Sequence, residues 1–371
     1  MRHGMLNLNN ASRYLISFCL QQPLYFTLDL QFGALSPEVG SSLFVPTGSS
    51  GTSARMAALL SYLRIPFLAS SGLAALGSSL LYFKQNDIIY PAGLPAGART
   101  DIPTPEQFNI NDADSINFPT PDGETLHAYL LRPPNAALKK NITLLTFHGN
   151  AGNIGHRLPI GKVLSESLGC HVFMMEYRGY GQSTGSPSED GLTVDGQTAL
   201  DFVRNHPELR GTKIVVYGQS LGGALTIKLV AANQEAGDIA GVILENTFTS
   251  IRKLIPTIMP PAKYIARLCH QQWASDETMT KITDSNLPIL FMSGLRDEIV
   301  PPVMMKTLFE SCKARKVWKD FPNGDHNSTV AEPGYFDAIW SFLTRDILGT
   351  QPGDKSLETG HTDVSQDELW A

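Results

Sequence analysis

A serine hydroxyl becomes a useful nucleophile when an imidazole takes its proton and a carboxylate fixes that imidazole's tautomer. Ser220, Asp297 and His326 have the residue types and the chain order for this chemistry. Residues 213 to 233 read KIVVYGQSLGGALTIKLVAAN: a β-branched strand, a Gly-Gln-Ser-Leu-Gly turn and an apolar helix. A serine on so sharp a turn tolerates only small neighbours, and Gly218 and Gly222 remove the side chains that would clash. Its hydroxyl is left at the head of a helix, whose positive end favours a developing negative charge. Asp297 follows the turn at Gly294 that closes the apolar run Pro288 to Met292. His326 follows the run that closes at Phe321.

Rivals exist for each position. Gly181-Gln-Ser-Thr-Gly185 repeats the serine pattern, but its strand ends several residues earlier and Pro187 prevents a long helix from starting after Ser183. Ser183 therefore reads as part of a Gly-rich loop. Glu245, at the end of an earlier apolar run, is the alternative acid; Glu298 should point elsewhere, and Asp325 reads as a loop residue. The only histidine after His326 is His361, in an acidic tail. An oxyanion needs two backbone donors. Leu221, just after the serine, is one candidate. Asn150 is the other, presented by a backbone reversal at Gly149 within His148-Gly-Asn-Ala-Gly-Asn153. His148 reads as an orienting hydrogen-bond residue rather than a base.

The elements that must hold these residues alternate. Asn117 to Pro133 reads as a hairpin turning at Pro121-Asp122-Gly123. Strands follow at Ile142–Phe147, Val172–Glu176, Lys213–Tyr217, Gly241–Leu244, Pro288–Met292 and Lys316–Phe321. Helices are expected at about 155–168, 188–205, 220–233, 303–312 and 335–348. Continuous apolar strands separated by helices imply an α/β fold with a mainly parallel sheet covered on both faces. The segment 247–287 interrupts that rhythm with apolar residues broken by Pro256, Pro260 and Pro261, and reads as a small helical cap where ligands usually bind.

Composition bounds the rest. Hydrophobic residues at 42 % suffice for a large core, and a net charge of −6 argues against a nucleic-acid partner. The tail, 349–371, carries five acids against Lys355 and reads as solvated and disordered. Cys19, Cys170, Cys269 and Cys312 are scattered without metal-ligand spacing and read as buried thiols, so neither metal nor cofactor is expected. Ile65 to Phe83 runs 19 residues without a charge, about 28 Å as a helix and close to a hydrocarbon thickness. The organisation expected is a poorly structured 1–55, a membrane anchor at 56–84 and a catalytic domain at 85–348. Pro91 to Pro105 reads as an extended linker. A single-pass protein of the endoplasmic reticulum or plasma membrane follows.

HGNAGN, EYRGYGQSTGSPSEDGL, YGQSLGG, ENTFTS and SGLRDEIVPP, followed by GDHN, resemble the fungal bud-emergence type of α/β hydrolase and its animal counterpart, the α/β-hydrolase-domain protein numbered thirteen. The resemblance covers about residues 60 to 348, including the apolar span and the KQNDIIYP after it. It implies the α/β-hydrolase fold and a serine hydrolase held by one N-terminal transmembrane helix, with a triad at Ser220, Asp297 and His326. It names no substrate. The apolar cap and the anchor point to an acyl ester or thioester, on a lipid or an S-acylated protein, with membrane lipid as the second partner. Two alternatives stay open: a catalytically weak, membrane-tethered scaffold in cell polarity, and a small-ester carboxylesterase.

Overall fold

The computed structural model describes residues 51–134 and 139–350. The N-terminal extension up to residue 50, with Cys19, and the tail from 351, with His361, lie outside them. Eight strands pair into one sheet in the order β1-β2-β4-β3-β5-β6-β7-β8. They are β1 (Ala113–Pro119), β2 (Thr125–Leu131), β3 (Ile142–Phe147), β4 (His171–Met175), β5 (Lys213–Gln219), β6 (Ile239–Glu245), β7 (Pro288–Gly294) and β8 (Arg315–Phe321). β1 and β2 form the expected hairpin; β2 pairs antiparallel to β4, and every later pairing is parallel. Successive residues of the inner strands face opposite cores: Val216 and Leu244 join one cluster, Val215 and Ile243 the other. Strands buried on both faces need helices on both faces, and this is why they read as unbroken apolar runs.

The helices are α1 (Gly51–Ile89), α2 (Leu158–Lys162), α3 (Glu189–Asn205), α4 (Leu221–Asn233), α5 (Ile251–Ile258), α6 (Ser275–Met279), α7 (Pro302–Ser311) and α8 (Tyr335–Ser341). α3 starts where the Ser188 hydroxyl accepts the Gly191 N–H, with Glu189 and Asp190 in its first turn, all three favourable at a positive helix end. The helix expected over 155–168 is composite, a 3₁₀ turn at Ile154–Arg157 leading into α2 and then a π turn at Val163–Ser167. Within the 3₁₀ turn, Gly155 lies on the Pro103 backbone with no room for a Cβ. Between β6 and β7 stand α5, two 3₁₀ turns at Pro260–Tyr264 and Ala266–Leu268, and α6, which form the small helical cap.

Two regions differ from the sequence reading. α1 runs 39 residues without a break across the expected division at residue 84. Its stretch Pro66–Ile89 is long and apolar enough to cross a membrane, and none of the window that qualifies it is buried against the protein. The stretch from Pro91 to Pro105 is not an extended linker but a series of turns packed on the domain. Asn153 donates to the Ala98 and Asp101 carbonyls at 2.9 and 3.1 Å, Gly152 N–H to Leu94 O at 2.8 Å, and Tyr129 OH to Pro103 O at 3.2 Å. Buried carbonyls need donors, and these are supplied by the loop after β3 and by Tyr129 of β2.

The loop after β4 is fixed by charge. Arg178, nearly buried, places Nε 2.9 Å from Oδ1 of the fully buried Asp195, while its own N–H meets Oδ2 at 2.9 Å. Its other nitrogens reach Asp122, on the exposed hairpin turn, at 2.7 and 3.0 Å. Removing one partner of a buried pair strands the other charge, at a cost of about 3–5 kcal/mol, whereas an exposed pair is worth about 1 kcal/mol or less. Asp195→Ala should therefore lower thermal stability by several kcal/mol in calorimetry. Asp122→Ala should move the melting transition far less.

Candidate active site

β5 delivers Ser220 in a conformation that few non-glycine residues adopt, φ 54° and ψ −113°. The turn is possible because a Cβ on Gly218 would overlap the Gly222 carbonyl, and one on Gly222 would overlap the Phe147 carbonyl. Gly223 packs on the Thr247 side chain in the same way. The Ser220 N–H donates to Glu245 O at 2.8 Å, which ties the turn to the end of β6.

His326 lies in the loop after β8 with Nε2 3.0 Å from Ser220 Oγ and Nδ1 2.7 Å from Asp297 Oδ2. Asp297 is 5 % exposed, and its other oxygen accepts the Ile299 and Val300 N–H groups at 2.9 and 2.7 Å. That leaves Oδ2 for the imidazole. One hydrogen-bonded chain thus runs from a carboxylate through both ring nitrogens to the serine, the arrangement in which Nδ1 is held protonated and Nε2 is free to accept.

The rivals fall elsewhere. Glu245 is buried, and its Oε2 accepts the Tyr217 and Tyr335 hydroxyls rather than facing His326. Burial pushes its carboxyl above the usual range despite those two donors. Glu298 is exposed, and Asp325 accepts the Asn327 and Ser328 N–H groups at 2.9 and 2.7 Å as a turn residue. Ser183 is fully buried, donating to Glu176 O and accepting His127 N–H, each at 2.9 Å.

Leu221 opens α4, and Asn150 lies in the loop after β3. Among the described residues, neither backbone N–H has an acceptor. Gly149 is not at positive φ, and a Cβ there would lie 3.3 Å from Gln219 Oε1; the positive φ of this loop, 75°, belongs to Gly152. The Asn150 side chain is held instead from outside: its amide donates to Ile89 O at the end of α1, and its oxygen accepts Tyr180 OH at 2.7 Å. His148 orients the same loop, with Nδ1 2.7 Å from Gly149 O and Nε2 3.0 Å from Oε1 of the buried Glu176. A cavity of about 40 Å³ lies behind this loop, lined by His148, Arg157, Gln219 and the apolar residues Phe147, Ile160 and Met174. It has room for water but not for an acyl chain.

Sequence reasoning missed Asn246. At φ 44°, its side chain accepts Gly294 N–H at 2.8 Å and donates to Thr329 Oγ1 at 3.0 Å and Asp325 O at 3.3 Å. It joins the loop of Asp297 to the loop of His326. An asparagine closing an apolar strand, where left-handed backbone is tolerated, was the available signal.

The sheet order, the helices on both faces and the strand-turn-helix at Ser220 define an α/β hydrolase. The family described as serine aminopeptidase, S33 matches residues 139–276. The chain is 45 % identical over 295 residues to Protein bem46 of Schizosaccharomyces pombe, covering 79 % of this chain and 97 % of that one. It is 39 % identical over 273 residues to the uncharacterized membrane protein YNL320W of Saccharomyces cerevisiae, 73 % of this chain and 93 % of that one. An α/β hydrolase of Vibrio vulnificus shares the fold with a TM-score of 0.57 at 19 % identity, over 69 % of this chain and 91 % of that one. The chain belongs to the bem46 family of α/β hydrolases.

The two candidate acids separate by measurement. Asp297→Asn should preserve the fold and lower kcat by roughly four orders of magnitude, through the wrong imidazole tautomer. Glu245→Gln should retain most of kcat, because its carboxyl touches two tyrosines and not the imidazole. The opposite ranking in steady-state kinetics would move the acid to β6.

Proposed function

We propose that the protein is a membrane-anchored serine hydrolase that cleaves acyl esters or thioesters through an acyl-enzyme. The observation that carries this is the bridge of His326 between Ser220 and Asp297, at 3.0 and 2.7 Å, beside two backbone amides without acceptors. Ser220 Oγ attacks the acyl carbon as His326 Nε2 takes its proton, and Asp297 steadies the imidazolium. Leu221 and Asn150 N–H groups receive the oxyanion, each donor worth about 3–4 kcal/mol. Collapse of the tetrahedral species breaks the bond to the alcohol or thiol, which leaves with the proton from His326. Water then repeats the sequence on the acyl-serine, releasing the acid.

The anchor is α1, with Ile65 to Phe83 as its crossing segment. Its exposed side chains include Phe67, Leu73 and Leu76, and Pro66 inside it is of a kind that membrane helices tolerate. An endomembrane or plasma-membrane location would set the site beside lipids and S-acylated proteins. Five apolar side chains of the cap do not support a walled acyl pocket: Ile258, Met259, Tyr264, Ile265 and Leu268 face outward. The apolar preference in this reading rests on the neighbouring bilayer, where a buried methylene is worth about 0.8 kcal/mol.

Fluorophosphonate labelling tests the nucleophile. Ser220→Ala should abolish it, while Ser183→Ala keeps it at some cost in stability, since Ser183 holds two buried backbone groups. A chain that never labels is a scaffold. Hydrolysis across p-nitrophenyl esters from acetate to decanoate, and of a palmitoyl thioester, tests the substrate class in detergent or lipid. Rates should rise with chain length; activity confined to acetate would leave a small-ester carboxylesterase.

A further inference from the structure

The cap carries a surface that the chemistry of the site does not use. From Ile258 to Leu268 the chain has Lys263 and Arg267 and no aspartate or glutamate, within a protein of net charge −6, while the cations before it are engaged, Lys253 with Asp276 and Arg252 Nε with Cys269 O at 2.8 Å. The same segment exposes Ile258, Met259, Tyr264, Ile265 and Leu268, with Tyr264 at 80 %. Lys263 and Arg267 are exposed on the turns that carry these side chains, and Lys263 Nζ stands 4.9 Å over the Tyr264 ring. An apolar ridge with cations at its edge is the composition of an element lying in a lipid interface.

α1 ends against this ridge. Gln85 is nearly buried there: its amide donates to Leu268 O at 3.3 Å, and its oxygen accepts His270 and Gln271 N–H at 2.8 and 3.3 Å. The Tyr82 ring packs on His270 at 5.2 Å. Tyr90 OH donates to Gln271 Oε1 and accepts Trp273 Nε1–H, each at 2.8 Å. Phe83, 79 % exposed, is the last residue before Lys84. The point where the apolar helix gives way to charge is therefore hydrogen-bonded to the exposed cap.

Resting on the reading that α1 crosses a bilayer, we propose that the cap docks on the leaflet through which α1 emerges. Ile258, Met259, Tyr264 and Ile265 enter the boundary between headgroups and acyl chains, and Lys263 and Arg267 meet headgroup phosphates. The occupant is a phospholipid surface and not a second copy, because a two-fold contact would bring Lys263 and Arg267, exposed on a ridge from Ile258 to Leu268 that holds no acid, against their own copies. The domain is then held at two points, by the helix and by the cap. Its catalytic loops lie at the lipid surface, since the Asn150 side chain bonds the last residue of α1.

Full-length Tyr264→Trp, assembled into nanodiscs containing phosphatidylserine and bromine-labelled phosphatidylcholine, tests this. Emission added over the wild type should be blue-shifted and quenched by the bromolipid. Glu235→Trp, at the far end of α4, should add emission that is not quenched. Adding Lys263→Glu and Arg267→Glu to Tyr264→Trp should reduce the quenching. If the protein enters the discs and the Tyr264→Trp signal stays unquenched, the cap surface is refuted while the anchor stands. If the protein remains outside the discs, the anchor reading fails and takes this proposal with it. Cross-linking through cap cysteines (Ile258→Cys) that yields dimers in the disc, with no quenching, would assign the surface to a second copy and overturn the lipid assignment.

Discussion

A positive φ at Ser220 is the constraint on which the site depends. Such backbone costs a non-glycine residue about 1–3 kcal/mol and persists only where its surroundings over-determine it. Here three glycines let α4 close on β5, β3 and the Thr247 side chain. The contact of Gly222 with the Phe147 carbonyl has a consequence beyond the turn itself. It brings the serine against the end of β3, one residue before the loop that carries Asn150. The spacing between proposed nucleophile and proposed oxyanion donor is thus set by the absence of one side chain. A Cβ at 222 would push the two apart without touching either.

The end of β6 gathers the other loops. Glu245 gives its carbonyl to the Ser220 N–H and its carboxyl to Tyr217 and Tyr335. Asn246 ties the acid loop to the histidine loop. Thr247 supports Gly223. Three consecutive residues therefore tie together the elements that carry Ser220, Asp297 and His326. Parallel strands make this possible, because their carboxyl ends lie side by side at one edge of the sheet.

Strands β3 to β8 and the order of the serine, acid and histidine were legible because burial on both faces writes itself as unbroken apolar runs. Turn chemistry at Gly218, Gly222 and Gly294 marked where those runs end. Contacts made across long sequence distances were not legible. The packing of Pro91 to Pro105 on Asn153 depends on partners some fifty residues away, and prolines alone read as a linker. Asn150 was read through Gly149 alone, and the partners that hold its side chain, Ile89 and Tyr180, lie outside the loop. The cap was legible as apolar and helical, but its direction was not. A run such as Ile258, Met259, Tyr264 and Ile265 reads alike whether it lines a pocket or faces outward, and only the packing of Leu254 and Trp273 beneath it decides.

That outward direction, and the bonds at the end of α1, join two properties that the sequence presents as separate segments. The helix α1 does not lead to the domain through a free tether. Gln85 holds the cap, Ile89 holds Asn150, and Leu94 holds Gly152, all within ten residues of chain. A flexible linker would let the domain tumble above a membrane and leave the oxyanion loop to order itself. Here the same short stretch fixes how the domain sits on α1 and where Asn150, the proposed oxyanion donor, lies. Reacting groups misplaced by about 1 Å can lose a hundredfold in rate, so in the proposed mechanism a tilt of the helix transmitted through Ile89 would act on Asn150 before it acted on Ser220, Asp297 and His326. The proposed anchor is in this sense part of the site's support as well as its address.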